Sequence, residues 1–538
     1  MKRAKTVIAA LILVIVMAVP TVAFAQPAPE EVELIPIRAF FESEGAEVTW
    51  VSENQSIHIA VEGGNIIMFP NSTTAVVNDV PVEIGSPVIL DYDRAFMYVE
   101  DLFILLEIFI ATMVSEIEYP AWILDREPIT RTTDHGQMAV EFITEMNDNL
   151  YDRIAFTYRE LEAALWIADQ LVAMGHDETA IEIQSIHLDY VEDIMLGFDR
   201  AWFIEAVHRI VDGEELDPIE FMQTGAAAES VQDTYVAVVA EFEQMGIPYE
   251  MIAEVLGGDL TEFIVGTLLS VYSTYGIFTD MAFRLYSQNV ILTIPGQSEQ
   301  KIILTAHYDT IGVPGASDNA SGVALLLESA YRMLGADNYY TIVYAFVGAE
   351  EVGLAGVYYY YASLTEAQQN NIVLNINADV LFEGPYFLVG AAQSTLGGLE
   401  TITAAEVMNA LGILMAGYGL SDNDTSLLVN ELAEELNAAF GTQLIIWRYA
   451  AAMPSDQLMF LAAGHTVVSL AGVARSSDTA YEAFGISPMF EIDGISFGAS
   501  VVHSPYDDVH FINDNWPEKI RNAMWTFSLF LDTVLSSN

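Results

Sequence analysis

The chain of 538 residues carries 76 acidic and 18 basic side chains, a formal net charge of −58, yet 53% of its residues are hydrophobic. It therefore has the apolar material for two or three packed domains, and so strong a negative charge excludes nucleic acid and a polybasic membrane contact as partners. There is no cysteine, which excludes disulfides, thiolate metal sites and cysteine nucleophiles and leaves His, Asp, Glu or backbone oxygen to hold any metal.

Lys2, Arg3 and Lys5 precede an apolar run over 7–19 and the small-residue site Ala23-Phe24-Ala25. This is the pattern of a cleaved secretory signal over 1–25, and the run is shorter than the about 20 residues a membrane span needs. A secreted or cell-surface location follows as the expectation. The apolar stretch 102–113 is short and interrupted by Glu107, so it reads as a packed helix.

From Leu34 the spacing predicts a short amphipathic helix ending near Gly45. Strands follow at 48–50 and 57–61, and short apolar runs at 66–69, 74–77 and 80–84 are separated by Gly63-Gly64 and Asn, Asp or Pro breaks. The whole reads as a small α+β unit over 30–118. Its segments IPIRAFFESEGAEVTW, AVVNDVPVEI and AFMYVEDL resemble the copper amine oxidase N-terminal-like domain of exported and surface proteins. That resemblance implies a stalk in contact with the cell surface or wall, not copper. His58 is the only histidine in the unit, and one histidine on an apolar strand is ordinarily packed or at the surface.

Beyond Pro120 helical spacing takes over, with a helix over 159–175 that puts Leu161, Ala164, Leu165, Ala168, Leu171 and Val172 on one face and ends at Gly175. Ile181, Ile183 and Ile186 alternate as in a strand. From about 188 to 283 the pattern is again helical with few prolines, a helical insertion read as a lid or docking face. Strands at 289–296 and 301–309, helix 322–334, strand 341–346, helix 365–370 and strand 372–376 then alternate, followed by helix 425–440, strand 444–447 and a last helix over 516–535. Such alternation predicts an α/β fold, a mixed and largely parallel sheet flanked by helices.

Metal-binding residue types fall at or just after these strands: His307-Tyr308-Asp309, Glu350-Glu351, Asp379, and His503 with Asp507, while Asp318 lies in a Gly/Ser/Asn loop before a helix. Open α/β sheets bind ligands beyond the carboxyl ends of their strands, so topology would gather these residues. Singly each is weak: His-x-Asp pairs are common on surfaces, adjacent glutamates usually form a solvated edge, and Asp318 has the form of a helix N-cap.

Together and in order, HYDT, GASDNASGVALLLE, FVGAEEVGLAGVYYY, NINADV and HSPYDD resemble metallopeptidase family 28, clan MH. The resemblance implies a zinc aminopeptidase/phosphorylase-hydrolase-like domain over 125–538 and two Zn2+ per chain. His307 and Asp379 would hold one ion, Glu351 and His503 the other, and Asp318 would bridge them. Glu350 would be the general base toward a metal-activated water, Asp309 would orient the His307 imidazole, and the Asp318–Asn319 peptide would be cis. A bridging carboxylate partly neutralises two cations about 3.5–4 Å apart, and imidazole with carboxylate suits catalytic zinc. His510 competes with His503 within one segment; the H-S-P-x-D pattern favours His503. Gln457 stands where the family often has histidine, and Val502 where some members have tyrosine. The function so implied is an exported di-zinc exopeptidase removing N-terminal amino acids from peptides. The alternatives are a carboxypeptidase or glutaminyl cyclase of the same fold, or a catalytically degenerate surface-binding protein.

Overall fold

The computed structural model describes residues 34–98 apart from 39–40, 42–46, 52–55, 62–63, 71, 78–79, 85 and 92–93. It also describes 135–536 apart from 190–200, 245–259, 280, 385, 396–418, 474–489, 493–494 and 498–500. The secretory-type segment and the stretch 102–113 lie outside the described residues. The chain divides into two units, one over Phe24–Tyr119 and the other containing Pro120–Asn538.

In the smaller unit, β2 (Glu47–Val51), β3 (Ser56–Val61), β4 (Gly64–Met68), β5 (Thr74–Val77) and β6 (Val80–Glu83) form an antiparallel meander. β1 (Leu34–Pro36) pairs with β8 (Arg94–Tyr98), which pairs with β7 (Ile89–Asp91). Period-two alternation sends Ile57, Ile59, Ile66, Met68, Ala75 and Val77 into one core. Leu34–Pro36, expected as the start of a helix, is instead an edge strand opposite residues 96–98. Pairing with β8 overrides the local spacing, and an edge strand tolerates Pro36 at its end. His58 bonds to Ser56 Oγ at 2.9 Å.

The larger unit is built on a mixed sheet. Its centre is four parallel strands in the order β17 (Thr466–Val473), β13 (Ile372–Ala378), β11 (Lys301–His307) and β12 (Thr341–Val347). Antiparallel β10 (Tyr286–Ile294) and β9 (Ile181–His187) extend it beyond β12, and β14 (Tyr386–Ser394) extends it beyond β17. The central strands are buried on both faces and read as continuous apolar runs, such as IILTA in β11 and IVYAFV in β12. One face is covered by α1 (Gln137–Asn149), α2 (Tyr158–Met174), α6 (Ser321–Arg332) and α11 (Lys519–Ser536). The other carries α7 (Ala355–Ser363) and α9 (Gln457–Ala462).

In α6 every residue from Ser321 to Ala330 is buried. Gly322 permits its close approach, because a Cβ there would lie 2.1 Å from the Ala378 carbonyl oxygen at the end of β13. Helix α2 ends at Gly175, left-handed with φ 110°. Its buried face is Glu160, Ala163, Ala164, Ile167 and Leu171, whereas Leu165 and Val172 are exposed. The sequence stripe is thus rotated: the helix packs through small alanines and a buried glutamate, which a ranking by hydrophobicity passes over.

Helices α3 (Ala201–Val211), α4 (Gly225–Gln244) and α5 (Leu260–Thr274) fall between β9 and β10. Trp202 stacks on Tyr272 with ring centroids 3.6 Å apart. Their apolar cluster continues into Ala349, Val352 and Ala355, in the segment that leaves β12. Residues between β9 and β10 thereby buttress the end of a central strand.

Candidate metal centre

Strand order reverses around β11, since the chain goes from β11 to β12 on one side and from β12 to β13 on the other. That is the crevice where open α/β sheets place their chemistry. His307 is the last residue of β11, opposite Val347 of β12. Glu350 and Glu351 follow β12 after a Gly348-Ala349 step, and Asp379 immediately follows β13. Asp318 lies in the turn before α6, joined to Asn319 by a cis peptide bond. His503 lies in the turn before the helix α10 (Val509–Asn515).

These residues converge. His307 Nε2 lies 3.1 Å from Asp318 Oδ1 and 3.3 Å from Asp379 Oδ1. His503 Nε2 lies 3.0 Å from the other Asp318 oxygen, Oδ2, and 3.3 Å from Glu351 Oε2. Two groups therefore offer ligand atoms to a metal, His307–Asp318–Asp379 and Asp318–Glu351–His503, each within 4.8 Å. They share Asp318, one oxygen apiece. His510 is outside the cluster, paired with Asp148 at 2.7 Å. His135, His176 and His465 bond instead to Asp532, the Ala330 carbonyl and Tyr361 Oη.

The electrostatics are those of a pocket that wants a cation. Burial alone would lower the pKa of His307, but Glu350 and Asp379 around it raise it well above the imidazole range. His503 is only partly buried, which lowers its pKa, but Glu351 and Asp318 raise it well above the imidazole range. Burial would push Asp318 up, but the hydrogen bonds from both histidines bring it below the usual carboxylate range. Burial raises Glu350 well above that range, with Glu351, Asp456 and Asp379 adding to the effect. Glu351 Oε1 and Asp379 Oδ1 are buried with no hydrogen-bond partner among the described residues, a costly state for acceptors unless a cation meets them.

Buried polar groups fix the loops. Asp309 accepts the backbone N–H groups of Glu350 and Glu351 at 3.1 Å each, through Oδ1 and Oδ2. Its Oδ1 is 3.5 Å from His307 Nδ1, so the carboxylate grips the glutamate loop more closely than the imidazole it was expected to orient. Glu160 of α2 accepts the Ala349 N–H at 3.1 Å. Three consecutive amides, 349 to 351, thus point at buried carboxylates. Asp507 accepts the Ser317 and Asp318 N–H groups at 2.7 and 3.0 Å. Gln457, on the segment where the family often has histidine, is buried and accepts from Asn377 Nδ2 at 2.8 Å. Backbone strain gathers at the same place: Ala349, Val380 and His503 have φ of 54°, 52° and 58° without being glycine.

Residues 289–528 match the model of peptidase family M28, and residues 20–106 that of the copper amine oxidase N-terminal domain. Residues 289–528 belong to peptidase family M28. Among curated proteins this chain is similar to aminopeptidase YwaD of Bacillus subtilis, 36% identical over 81 residues, which is 15% of this chain and 18% of that protein. It is also similar to a probable lipoprotein aminopeptidase, LpqL, of Mycobacterium tuberculosis, 39% identical over 98 residues, 18% of this chain and 20% of that protein. The alignments thus span about a fifth of those relatives' length. Among solved structures a zinc aminopeptidase, BSAP, from Bacillus subtilis is 15% identical, with 76% of this chain and 96% of that one covered and a TM-score of 0.44. A glutaminyl cyclase from Bacteroides thetaiotaomicron is 15% identical over 77% of this chain and 98% of that one, TM-score 0.39.

Sequence reading passed over Arg153, Glu160 and Asp456, all fully buried around the M28 centre. Asp456 leaves both carboxylate oxygens without a hydrogen-bond partner among the described residues, and burial raises its pKa to about 8. It directly precedes Gln457 in the sequence, but its signal is burial, which a single sequence does not display.

Proposed function

We propose that the M28 domain is a di-zinc aminopeptidase of an exported protein, with His307 and Asp379 on one ion, Glu351 and His503 on the other, and Asp318 bridging. The observation that carries this reading is the division of the Asp318 carboxylate, one oxygen beside each histidine. Two imidazoles with three carboxylates suit zinc, and the orphaned acceptors of Glu351 and Asp379 are what such ions would satisfy. When bound, the ions supply Lewis-acid polarisation of a carbonyl and lower the pKa of water.

The chain's own residues do the rest. Glu350, held by its backbone N–H on Asp309, takes the proton of the attacking water at its carboxylate and returns it to the leaving amine. Burial raises its proton affinity above that of an ordinary carboxylate, the direction that favours taking up a proton from water. The half-exposed side chain of His503 lies on the open side of the centre, where a peptide enters. The smaller unit serves as a contact module at the cell surface or wall, in keeping with the secretory-type N-terminus.

Among the described residues no helix is long and apolar enough to cross a membrane. A panel of peptides with free and blocked termini, combined with metal analysis, tests the reading. Cleavage confined to free amino termini with two zinc ions per chain is expected. Cleavage from the carboxyl end, or a single zinc with cyclisation of N-terminal glutamine, would overturn it.

A further inference from the structure

Arg153 is among the largest fully buried side chains of the larger unit. Its side chain is fully buried in the connection between α1 and α2, and among the described residues it forms no ion pair. Its donors go to main-chain carbonyls: Nε to Tyr308 at 2.7 Å, Nη1 to Leu150 at 2.8 Å and Pro314 at 3.0 Å, and Nη2 to Gly315 at 3.1 Å. Tyr308 is the residue between His307 and Asp309, and Pro314-Gly315 opens the turn that delivers Asp318. One planar fork therefore joins the strand end that carries one histidine to the loop that carries the shared carboxylate.

A second set of contacts fastens the same junction. Thr310 N–H donates to the Arg153 carbonyl at 3.1 Å, and Gly315, with φ 61°, leaves no room for a Cβ beside the Asp318 carbonyl oxygen at 2.4 Å. Burying a guanidinium without a contacting carboxylate is expensive. Here four carbonyl dipoles and the field of Asp507, Asp309 and Asp318 keep it charged, although burial draws its pKa down to about 10. Those carboxylates are engaged elsewhere: Asp309 on the Glu350 and Glu351 amides, Asp507 on the Ser317 and Asp318 amides, Asp318 between the histidines.

We propose that Arg153 is a positioning residue for the di-metal centre, fixing the loop of Asp318 to the strand end of His307 and so setting the bridge that both metal positions share. Resting on the di-zinc reading, this goes beyond it by assigning binding of both ions to a residue that touches neither. Arginine is required for its shape: five donors in a rigid plane reach Tyr308 and Gly315 at once, which the single ammonium of lysine does not.

The test uses full-length metal-free protein, wild type, Arg153→Met and Arg153→Lys, titrated with zinc against a chelator and with cobalt followed by its visible spectrum. Both variants are expected to weaken both ions together by about tenfold or more, the size usual for a supporting contact of a ligand, with an altered cobalt spectrum. Full recovery in Arg153→Lys would overturn the proposal, because charge without the fork would then suffice. Weakening of one ion alone would overturn it, since Asp318 would not be the route. Wild-type affinity in both variants, or failure of both to reach the native circular dichroism spectrum, would also refute it, the latter by placing the residue's role in folding. Wild-type protein binding fewer than two metals would instead strike the di-zinc reading, and shows itself before any variant is made.

Discussion

Replacing Asp309 by asparagine keeps the shape of a fully buried side chain while removing one of its two acceptors. In the native site Oδ1 and Oδ2 each accept one N–H, from Glu350 and Glu351. Asparagine satisfies one and presents an amide N–H to the other. The loss is one charge-assisted hydrogen bond, about 1.5–3 kcal/mol, plus a buried donor facing a donor, about 1–3 kcal/mol. A total of about 2.5–6 kcal/mol is a large part of the about 5–15 kcal/mol that holds a domain folded. Some of it will be released by movement of the 348–351 segment, which displaces Glu350 from the place proposed for the base.

Metal-free Asp309→Asn should therefore melt lower by about 3–7 °C, the shift that this loss produces in a unit of roughly 400 residues. The zinc-loaded enzyme should lose turnover by about a hundredfold, the effect of an ångström of misplacement. Differential scanning calorimetry without metal and a peptide assay with zinc measure the two. An unchanged melting temperature with weakened zinc would refute the reasoning, because the main task of Asp309 would then be the His307 imidazole, 3.5 Å away, and not the glutamate loop.

His503→Ala should abolish binding of one zinc, read by metal analysis, whereas His510→Ala, which loses only an exposed pair with Asp148, should leave both. Gly322→Ala would place a methyl group 2.1 Å from the Ala378 carbonyl and 2.6 Å from Asn319 Oδ1; the helix or the strand end before Asp379 must shift, so stability should fall by about 1–3 kcal/mol and zinc affinity with it. Asp456 has its pKa raised by burial from 3.8 to about 8, so the folded state holds a proton there that the unfolded chain has released. Its contribution makes metal-free stability fall as pH rises from about 4 to about 8, and Asp456→Asn should flatten that dependence in urea titrations at several pH values. A slope steeper than wild type would contradict the assignment.

The centre was legible because its residues sit at strand ends. The apolar runs of β11, β12 and β13 mark the sheet, and His307, Glu350-Glu351 and Asp379 follow directly from where those runs stop. Choosing His503 over His510 depended on the short H-S-P-x-D pattern, and distance now separates them. What the sequence concealed is what burial alone defines. The face of α2 is rotated by Glu160, an acidic residue inside because Ser287 and the 349 amide need an acceptor. Arg153 lacks any pattern, since its partners are main-chain carbonyls, one at Leu150 nearby and the others at Tyr308, Pro314 and Gly315 in a distant stretch. Leu34–Pro36 forms a strand only because β8 offers it an edge, a contact made across some sixty residues that local spacing does not register.

The central claim is that Glu350 moves the proton of the attacking water while other residues hold the metals. Glu350→Gln keeps the side chain's size and leaves His307, Asp318, Glu351, Asp379 and His503 in place. Turnover of an aminoacyl substrate by this variant, measured beside its zinc content, is expected to fall by about 10²–10⁴-fold with two zinc ions retained. Wild-type turnover at full zinc content would contradict the account.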